Sequence, residues 1–91
     1  MTLKYSFEDV DMGEEVIAVP VGNQAGQIHG VVKMNKEGHI IFDLLRNDMT
    51  ESQIVDELSG MFDDSREVIA EYVHNVINQL TQANIIEPQV M

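Results

Sequence analysis

The chain has 91 residues, of which 44% are hydrophobic and none is cysteine, so its fold must depend on apolar packing and not on disulfides or thiolate metal sites. Its 16 acidic residues outnumber its 5 basic ones, and the resulting net charge of −11 opposes binding to nucleic acid or to anionic membranes. No stretch reaches the roughly 18 apolar residues of a membrane span and no signal peptide is evident, so we predict one soluble domain over residues 1–91 with a cytoplasmic location.

The first third of the chain is predicted to form strands. Short segments rich in β-branched and aromatic residues lie at about residues 5–11, 14–20 and 28–34. Met12 and Gly13 predict a tight turn after the first, and residues 22–26, with glycine and asparagine, predict a linker before the third. Pro20 lacks the N–H of a central ladder, so we expect the second strand to end there or to place this residue on an unpaired side.

The remainder of the chain has helical spacing of its apolar residues. The predicted helices lie at about residues 36–46, 51–62 and 65–83. Asn35 is the predicted N-cap of the first helix. Thr50 with Gln53 predicts a capping box for the second helix, and Asp64 with Glu67 predicts another for the third.

The last helix has the clearest apolar stripe, at Ile69, Val73, Val76 and Leu80, and this stripe is widened by Val68, Tyr72 and Ile77. Asn84 is predicted to end this helix in a left-handed conformation. Strands followed by helices predict an α+β domain in which the helices cover one face of a small sheet. Two short helices and a longer third with tight connections also predict a helix-turn-helix core.

No motif for catalysis or metal binding emerges from the chain. His29, His39 and His74 are scattered, with no pair spaced to share one helix face, and we expect them to be surface or edge residues. The serines lack a nucleophile motif, and the glycines of residues 22–26 lead into a strand instead of a phosphate-binding helix. The sequence therefore predicts a protein that is not an enzyme and that has no cofactor or metal.

A surface for binding another chain is better supported. If the third predicted strand lies at a sheet edge beside the third helix, a groove forms between a backbone ladder and apolar side chains. Gly30 either allows a foreign backbone to approach closely or marks a bulge in the strand.

Three segments occur in order along the chain: VVKMNKEGHIIFDLL at residues 31–45, TESQIVDEL at 50–58 and QANII at 82–86. Together they resemble the PqqD family, named for coenzyme PQQ synthesis protein D. The family shows an apolar strand, an L-N-x-x-G/A joint, an I-W/F-x-L-L helix, a T-x-x-x-I-V-x-x-L helix and a third helix that closes on a G-L-I-like end. The matching positions are Met34, Asn35, Gly38, Ile41, Phe42, Leu44, Leu45, Thr50, Ile54, Val55, Leu58, Ile85 and Ile86.

The resemblance implies a RiPP recognition element with a winged helix-turn-helix-like fold, a three-stranded antiparallel sheet followed by three helices. Such a domain is a peptide chaperone: it holds the leader segment of a ribosomally made precursor peptide as a strand added to its third strand. It presents the precursor to a modifying enzyme, often a radical SAM maturase, in PQQ or related biosynthesis. The implied peptide-binding residues are Ile28, His29, Gly30, Val31, Val32, Lys33, Val68, Tyr72, Val76 and Gln79.

Two alternatives stay open at this point. A helix-turn-helix transcriptional regulator would need basic residues along the third helix, where only Arg66 is available. A structural or dimerising domain is the other alternative, because an unpaired edge strand can pair with a second copy of the same chain to form a homodimer.

Overall fold

The computed structural model describes residues 1–22 and 30–87. In it, a three-stranded antiparallel sheet precedes three helices, which confirms the α+β prediction. The strands are β1 (Thr2–Leu3), β2 (Ser6–Asp11), β3 (Glu15–Val21), β4 (Val32–Asn35) and β5 (Ile86–Glu87). The helices are α1 (Lys36–Leu44), α2 (Glu51–Met61) and α3 (Arg66–Gln82). The sheet has the order β2-β3-β4, and β1 pairs with β5 in a separate ribbon.

The predicted turn between β2 and β3 is confirmed. The Met12 N–H donates a hydrogen bond to the Glu15 carbonyl at 2.8 Å. Gly13 has φ of +94°, a left-handed conformation that glycine adopts because it has no Cβ. The Gly13 N–H donates a hydrogen bond to the Asp11 carboxylate at 2.9 Å, and this contact stabilises the turn.

β3 continues through Pro20 to Val21, so the strand does not end at the proline. Its pairing with β4 stops at Ala18, and Pro20 therefore lies beyond that ladder, where its missing N–H costs no hydrogen bond. The second of the two predicted outcomes for Pro20 is the one observed.

The strand predicted at residues 28–34 is shorter and lies later in the chain. Gly30 has φ of +87°, which interrupts the extended backbone, and β4 begins only at Val32. Ile28 and His29 lie outside the described residues. β4 ends at Asn35, whose extended backbone lets its Oδ1 accept the Gly38 N–H at 2.8 Å, so the predicted N-cap of α1 is confirmed.

The start of α2 follows the prediction, whereas the start of α3 does not. Thr50 Oγ1 accepts the Gln53 N–H at 3.1 Å and Gln53 Oε1 accepts the Thr50 N–H at 2.9 Å, which confirms the capping box. The box predicted for α3 at Asp64 is wrong. The helix starts one residue later, and its N-cap is Ser65, whose Oγ accepts the Val68 N–H at 3.3 Å.

The ribbon of β1 and β5 was not predicted. Leu3 donates its N–H to the Leu45 carbonyl at 3.0 Å, and Lys4 donates to the Ile85 carbonyl at 2.8 Å. Strands of two residues are too short to show an alternating pattern, so the sequence indicated no strand at Thr2–Leu3 or at Ile86–Glu87. The left-handed stop predicted at Asn84 is confirmed by its φ of +61°, which turns the chain back from α3 toward β5.

One contiguous core lies between the sheet and the helices. Its buried members are Phe7, Ala18, Ile41, Phe42, Leu45, Ile54, Val55, Leu58, Ile69, Val73, Ile77, Leu80, Ile85 and Ile86. The rings of Phe7 and Phe42 meet edge to face at 5.2 Å and join β2 to α1. Ile77, predicted at the margin of the apolar stripe of α3, is buried, whereas Val76, predicted at its centre, is half-buried. No helix within the described ranges has the length and apolarity needed to cross a lipid bilayer.

Candidate functional site

A groove of about 610 Å³ lies between β4 and α3. Its residues come from β4, from the groove-facing side of α3, and from the core at its floor. They are Val32, Lys33, Met34, Asn35, Gly38, Phe42, Tyr72, Asn75, Val76, Gln79, Leu80, Ala83 and Ile85. The floor is apolar, and amide groups line much of the rim, so the groove can hold apolar side chains while it offers hydrogen bonds along its length.

β4 forms one wall and is an edge of its sheet. In the part of the chain that the structure describes, β3 pairs with one side of β4 and no strand pairs with the other. The four residues of β4 are all paired with β3, from Val32 opposite Ala18 to Asn35 opposite Glu15. The opposite edge of β4 therefore presents backbone groups that an added strand can use.

The hairpin geometry identifies which backbone groups face that edge. Along an antiparallel ladder, every second pair of opposite residues is hydrogen-bonded, and Met12 with Glu15 is such a pair in the β2-β3 hairpin. Ile17 lies two residues after Glu15, so its N–H and C=O also point to β2. The backbone groups of the next residue, Ala18, therefore point to the other side, toward β4. Lys33 lies opposite Ile17, and its backbone N–H and C=O accordingly point away from β3, toward the unpaired edge.

α3 forms the other wall with residues spaced along one helix face. Tyr72, Val76, Gln79 and Ala83 follow at intervals of three or four residues, and Asn75 lies beside them. Tyr72 and Val76 are half-buried and pack against the core, whereas Asn75 and Gln79 are exposed. The wall is thus apolar at depth and carries amide groups at the solvent side.

A hydrogen-bonded junction connects the two walls where β4 ends. The Tyr72 hydroxyl donates to Asn35 Oδ1 at 3.2 Å, and this oxygen also accepts the Gly38 N–H. Burial raises the pKa of Tyr72 above its ordinary value of 10.0, so the hydroxyl keeps its proton and remains a donor at neutral pH. A Cβ at Gly38 would lie 3.0 Å from Asn35 Oδ1, so glycine leaves room for this junction.

Of the ten residues that the family resemblance implies, five line the groove. These are Val32, Lys33, Tyr72, Val76 and Gln79. Gly30 and Val31 precede β4 and are exposed. Val68 is also exposed and lies one helical turn before Tyr72, outside the groove. Ile28 and His29 are not among the described residues.

Several groove residues were not anticipated, although the sequence contained a signal for some of them. Met34 alternates with Val32 on the core-facing side of β4, and Ala83 continues the helical spacing one turn after Gln79. Asn75 is three residues after Tyr72, so it shares the same face. Asn35 and Gly38 belong to the junction at the end of β4. Phe42, Leu80 and Ile85 belong to the core, and only the packed fold shows that they reach the groove floor.

A second polar cluster brings together Asp9, His39 and Asp43, whose potential ligand atoms lie within 4.8 Å of one another. Arg46 donates to Asp9 at 2.7 and 3.0 Å and also to Asp43, and His39 Nε2 lies 2.7 Å from Asp9. The hydrogen bonds from Arg46 lower the pKa of Asp9 below its ordinary value. Because a guanidinium already satisfies both carboxylates and repels a cation, we assign this cluster to the attachment of β2 to α1.

Comparison with known proteins gives a family and a fold. A family model described as coenzyme PQQ synthesis protein D (PqqD) matches residues 14–86. A solved structure described as TbiB1 in complex with the TbiA(beta) leader peptide superposes with a TM-score of 0.76 at 14% sequence identity, and the match covers 100% of both chains. A search of curated proteins finds no matching relative.

Proposed function

The chain belongs to the PqqD family, and from this membership we propose that it binds the leader segment of a ribosomally made precursor peptide. In the proposed complex, the leader adds as a strand to the unpaired edge of β4 and fills the groove with side chains that face α3. The fold similarity to TbiB1, whose structure contains a leader peptide, supports this proposal.

The observation that carries the proposal is the position of the unpaired edge of β4 beside the groove. The N–H and C=O of Lys33 are placed to pair with an incoming backbone, and Val32 and Met34 supply apolar contacts on the groove side. Backbone pairing provides affinity for many sequences, whereas the shape and polarity of the groove select among them. The five implied residues that line the groove form the working set for experiments, and Val68 serves as a comparison residue outside the groove.

The proposed role of the complex is delivery. The chain has no catalytic step of its own in this proposal, and it presents the precursor to a separate modifying enzyme, such as a radical SAM maturase, in PQQ or a related peptide pathway. Strand addition suits this role because it uses the leader backbone and leaves the remainder of the precursor accessible to the enzyme.

The alternative function, DNA binding through the helix-turn-helix, has less support than peptide binding. The cation at the start of α3, Arg66, is paired with Asp56 at 2.6 Å, and Glu67 and Glu71 follow on the same helix. A helix that enters a DNA groove must bring positive charge to the phosphates, and α3 brings negative charge instead.

An NMR titration tests the proposal directly. The ¹⁵N-labelled chain is titrated with the synthetic leader of the precursor peptide encoded nearest to it, and with a scrambled leader of the same composition as control. We expect amide shifts in Val32–Asn35 and along the groove-facing side of α3 with the native leader only. On binding, the Lys33 N–H should gain protection from hydrogen exchange, whereas Met34, which already pairs with β3, should change little.

Two results would overturn the proposal. One is the absence of shifts in β4 at saturating leader. The other is a set of β4 shifts that depend on protein concentration without peptide, which would show that the edge pairs with a second copy of the chain.

A further inference from the structure

The sheet face turned away from the helices is aliphatic along its central strand. Ile17, Val19 and Val21 alternate with the core-facing residues of β3, and Val10 on β2 lies directly opposite Ile17. We call these four residues the outer strip. None of these four residues belongs to the hydrophobic core or packs against it. Val10 is 45% exposed, and Ile17, Val19 and Val21 are half-buried.

An aliphatic outer strip is unusual for a two-layer domain. An antiparallel sheet covered by helices on one side normally carries polar residues on its other side, because that side faces water. Here the strip is continuous along β3, and Met12, which is 62% exposed, extends it at the β2 end of the hairpin. Contiguous apolar surface of this kind marks a site of protein association.

The charges around the outer strip restrict its partner. Glu8 and Glu15 flank the strip on β2 and β3, and among the paired residues of the described sheet Lys33 is the only basic one on this face. Among the described residues, Lys36, Arg46 and Arg66 are engaged in ion pairs, so most of the excess negative charge has no cation within the chain. The surroundings of the strip are therefore acidic.

We propose that the outer strip docks a separate protein whose contact surface has an apolar centre and a basic rim. A second copy of this chain would bring one acidic rim against another, each from a molecule of charge −11, and like-charge contact of this kind costs binding energy. Nucleic acid and anionic lipid are opposed by the same charge. A protein surface with an apolar centre and a basic rim complements both the aliphatic strip and the acidic residues around it.

The location of the outer strip also connects it to the groove. The inference rests on the proposed function in this one respect: a leader strand added to β4 extends the same sheet, so its outward side chains would continue the outer face. A partner on this face would contact the bound leader at its border, which fits a peptide-modifying enzyme. By thermodynamic reciprocity, the leader and the partner would then strengthen each other's binding.

Site-specific photo-crosslinking in the native cells tests the proposal. A benzophenone amino acid replaces Val10, and the control carries it at Met61, which is similarly exposed at 53% but lies at the end of α2. We expect one product from Val10 that is absent from Met61, and that contains a different protein identified by mass spectrometry. A product made of two copies of this chain, or no product beyond the control, would overturn the proposal.

The captured protein is then purified and its affinity measured with charge-reversed variants. Glu8→Lys should weaken binding about tenfold, whereas Glu57→Lys, with the same change in net charge on α2, should stay within about twofold. Wild-type binding should also weaken by about tenfold between about 0.05 M and about 0.5 M NaCl. Equal effects of the two reversals, or binding that does not respond to salt, would contradict a basic rim.

The same variants separate this inference from the proposed function. Glu8 lies on β2, at the edge of the sheet opposite β4, so Glu8→Lys should leave leader affinity unchanged. If the leader binds and the photoreactive residue at Val10 captures no partner, only the proposal that the outer strip docks a protein is refuted. If Val10 captures a basic partner and the leader gives no shifts in β4, only the peptide proposal fails.

Discussion

Tyr72 on α3 donates its hydroxyl to Asn35 Oδ1 at 3.2 Å, and Asn35 is at once the last residue of β4 and the N-cap of α1. One side chain therefore joins the two walls of the groove and the start of a helix. The groove and the fold share this junction, so variants must be chosen to separate loss of binding from loss of stability.

The junction gives a first prediction. Asn35→Ala removes the acceptor for both the Gly38 N–H and the Tyr72 hydroxyl, and we expect the free energy of unfolding to fall by about 1–2 kcal/mol. Urea denaturation followed by circular dichroism measures this change. Asn35→Asp is the control, because it keeps an acceptor and places a negative charge at a helix N-terminus, and it should stay within about 0.5 kcal/mol of wild type.

A double-mutant cycle shows whether Tyr72 contributes through this bond. If the hydroxyl acts through Asn35, then Tyr72→Phe should cost less in the Asn35→Ala background than in the wild type. Additive effects would show that the two residues stabilise the fold independently, and this result would contradict the coupling of Tyr72 to Asn35.

The second prediction concerns the backbone edge. Lys33→Pro removes an N–H that points away from β3, so the ladder of the sheet should persist while leader affinity falls by about tenfold or more. Lys33→Ala is the control, since it removes the charge but keeps the N–H, and it should retain most of the affinity if pairing is through the backbone. Isothermal titration calorimetry with the leader measures both variants.

Met34→Pro provides the contrast within the same strand. The N–H of Met34 points toward β3, so this variant should lose thermal stability, which Lys33→Pro should largely keep. If both variants unfold to the same extent, the assignment of Lys33 to the unpaired edge is wrong.

The third prediction uses two valines of α3. Val76 lines the groove and is half-buried, whereas Val68 on the same helix is exposed and lies outside it. A charge at Val76 would have to be desolvated by the bound leader, so Val76→Glu should weaken leader binding about tenfold, and Val68→Glu should leave it within about twofold. Helical content, read from circular dichroism, should remain close to wild type in both.

Equal losses of affinity in the two valine variants would place the contact surface of α3 beyond the groove. This outcome would restore Val68 to the set of peptide-binding residues and would extend the binding surface toward the start of the helix.

Much of the architecture followed from local patterns in the sequence. Thr50 and Gln53 act within four residues of each other, as do Asn35 and Gly38, and capping depends on such short-range geometry. Such signals can be read without knowing the fold. The wrong cap at Asp64 shows their limit, because aspartate and serine cap equally well and only the observed register selects Ser65.

Features that depend on contacts far apart in the chain were not predictable in the same way. The ribbon of β1 and β5 joins the two ends of the described chain through strands of two residues, which have no pattern of their own. Val76 and Ile77 are adjacent, and the exact rotation of α3 decides which of them is buried and which faces the groove. The outer strip was missed because aliphatic residues occupy both faces of β3, so the sequence does not show which of the two faces is turned to the core.

The last prediction concerns acid stability. Hydrogen bonds from Arg46 lower the pKa of Asp9 in the folded chain below its ordinary value of 3.8, so the ionised carboxylate stabilises the folded state at neutral pH. This contribution is complete above the unfolded pKa and is lost as the pH falls through the folded pKa. Asp9→Asn should therefore be less stable than wild type at about pH 6, and the difference should shrink toward about pH 3.

Asp63→Asn is the matched control for this pH series. Asp63 is exposed and has no ion pair within the described ranges, so this variant removes the same negative charge without breaking a contact. In a chain of net charge −11, removal of one carboxylate also reduces repulsion, and the control measures that gain separately. Urea denaturation of the three proteins across the pH range isolates the Asp9 contribution, and a wild-type advantage over Asp9→Asn that persists unchanged to about pH 3 would refute it.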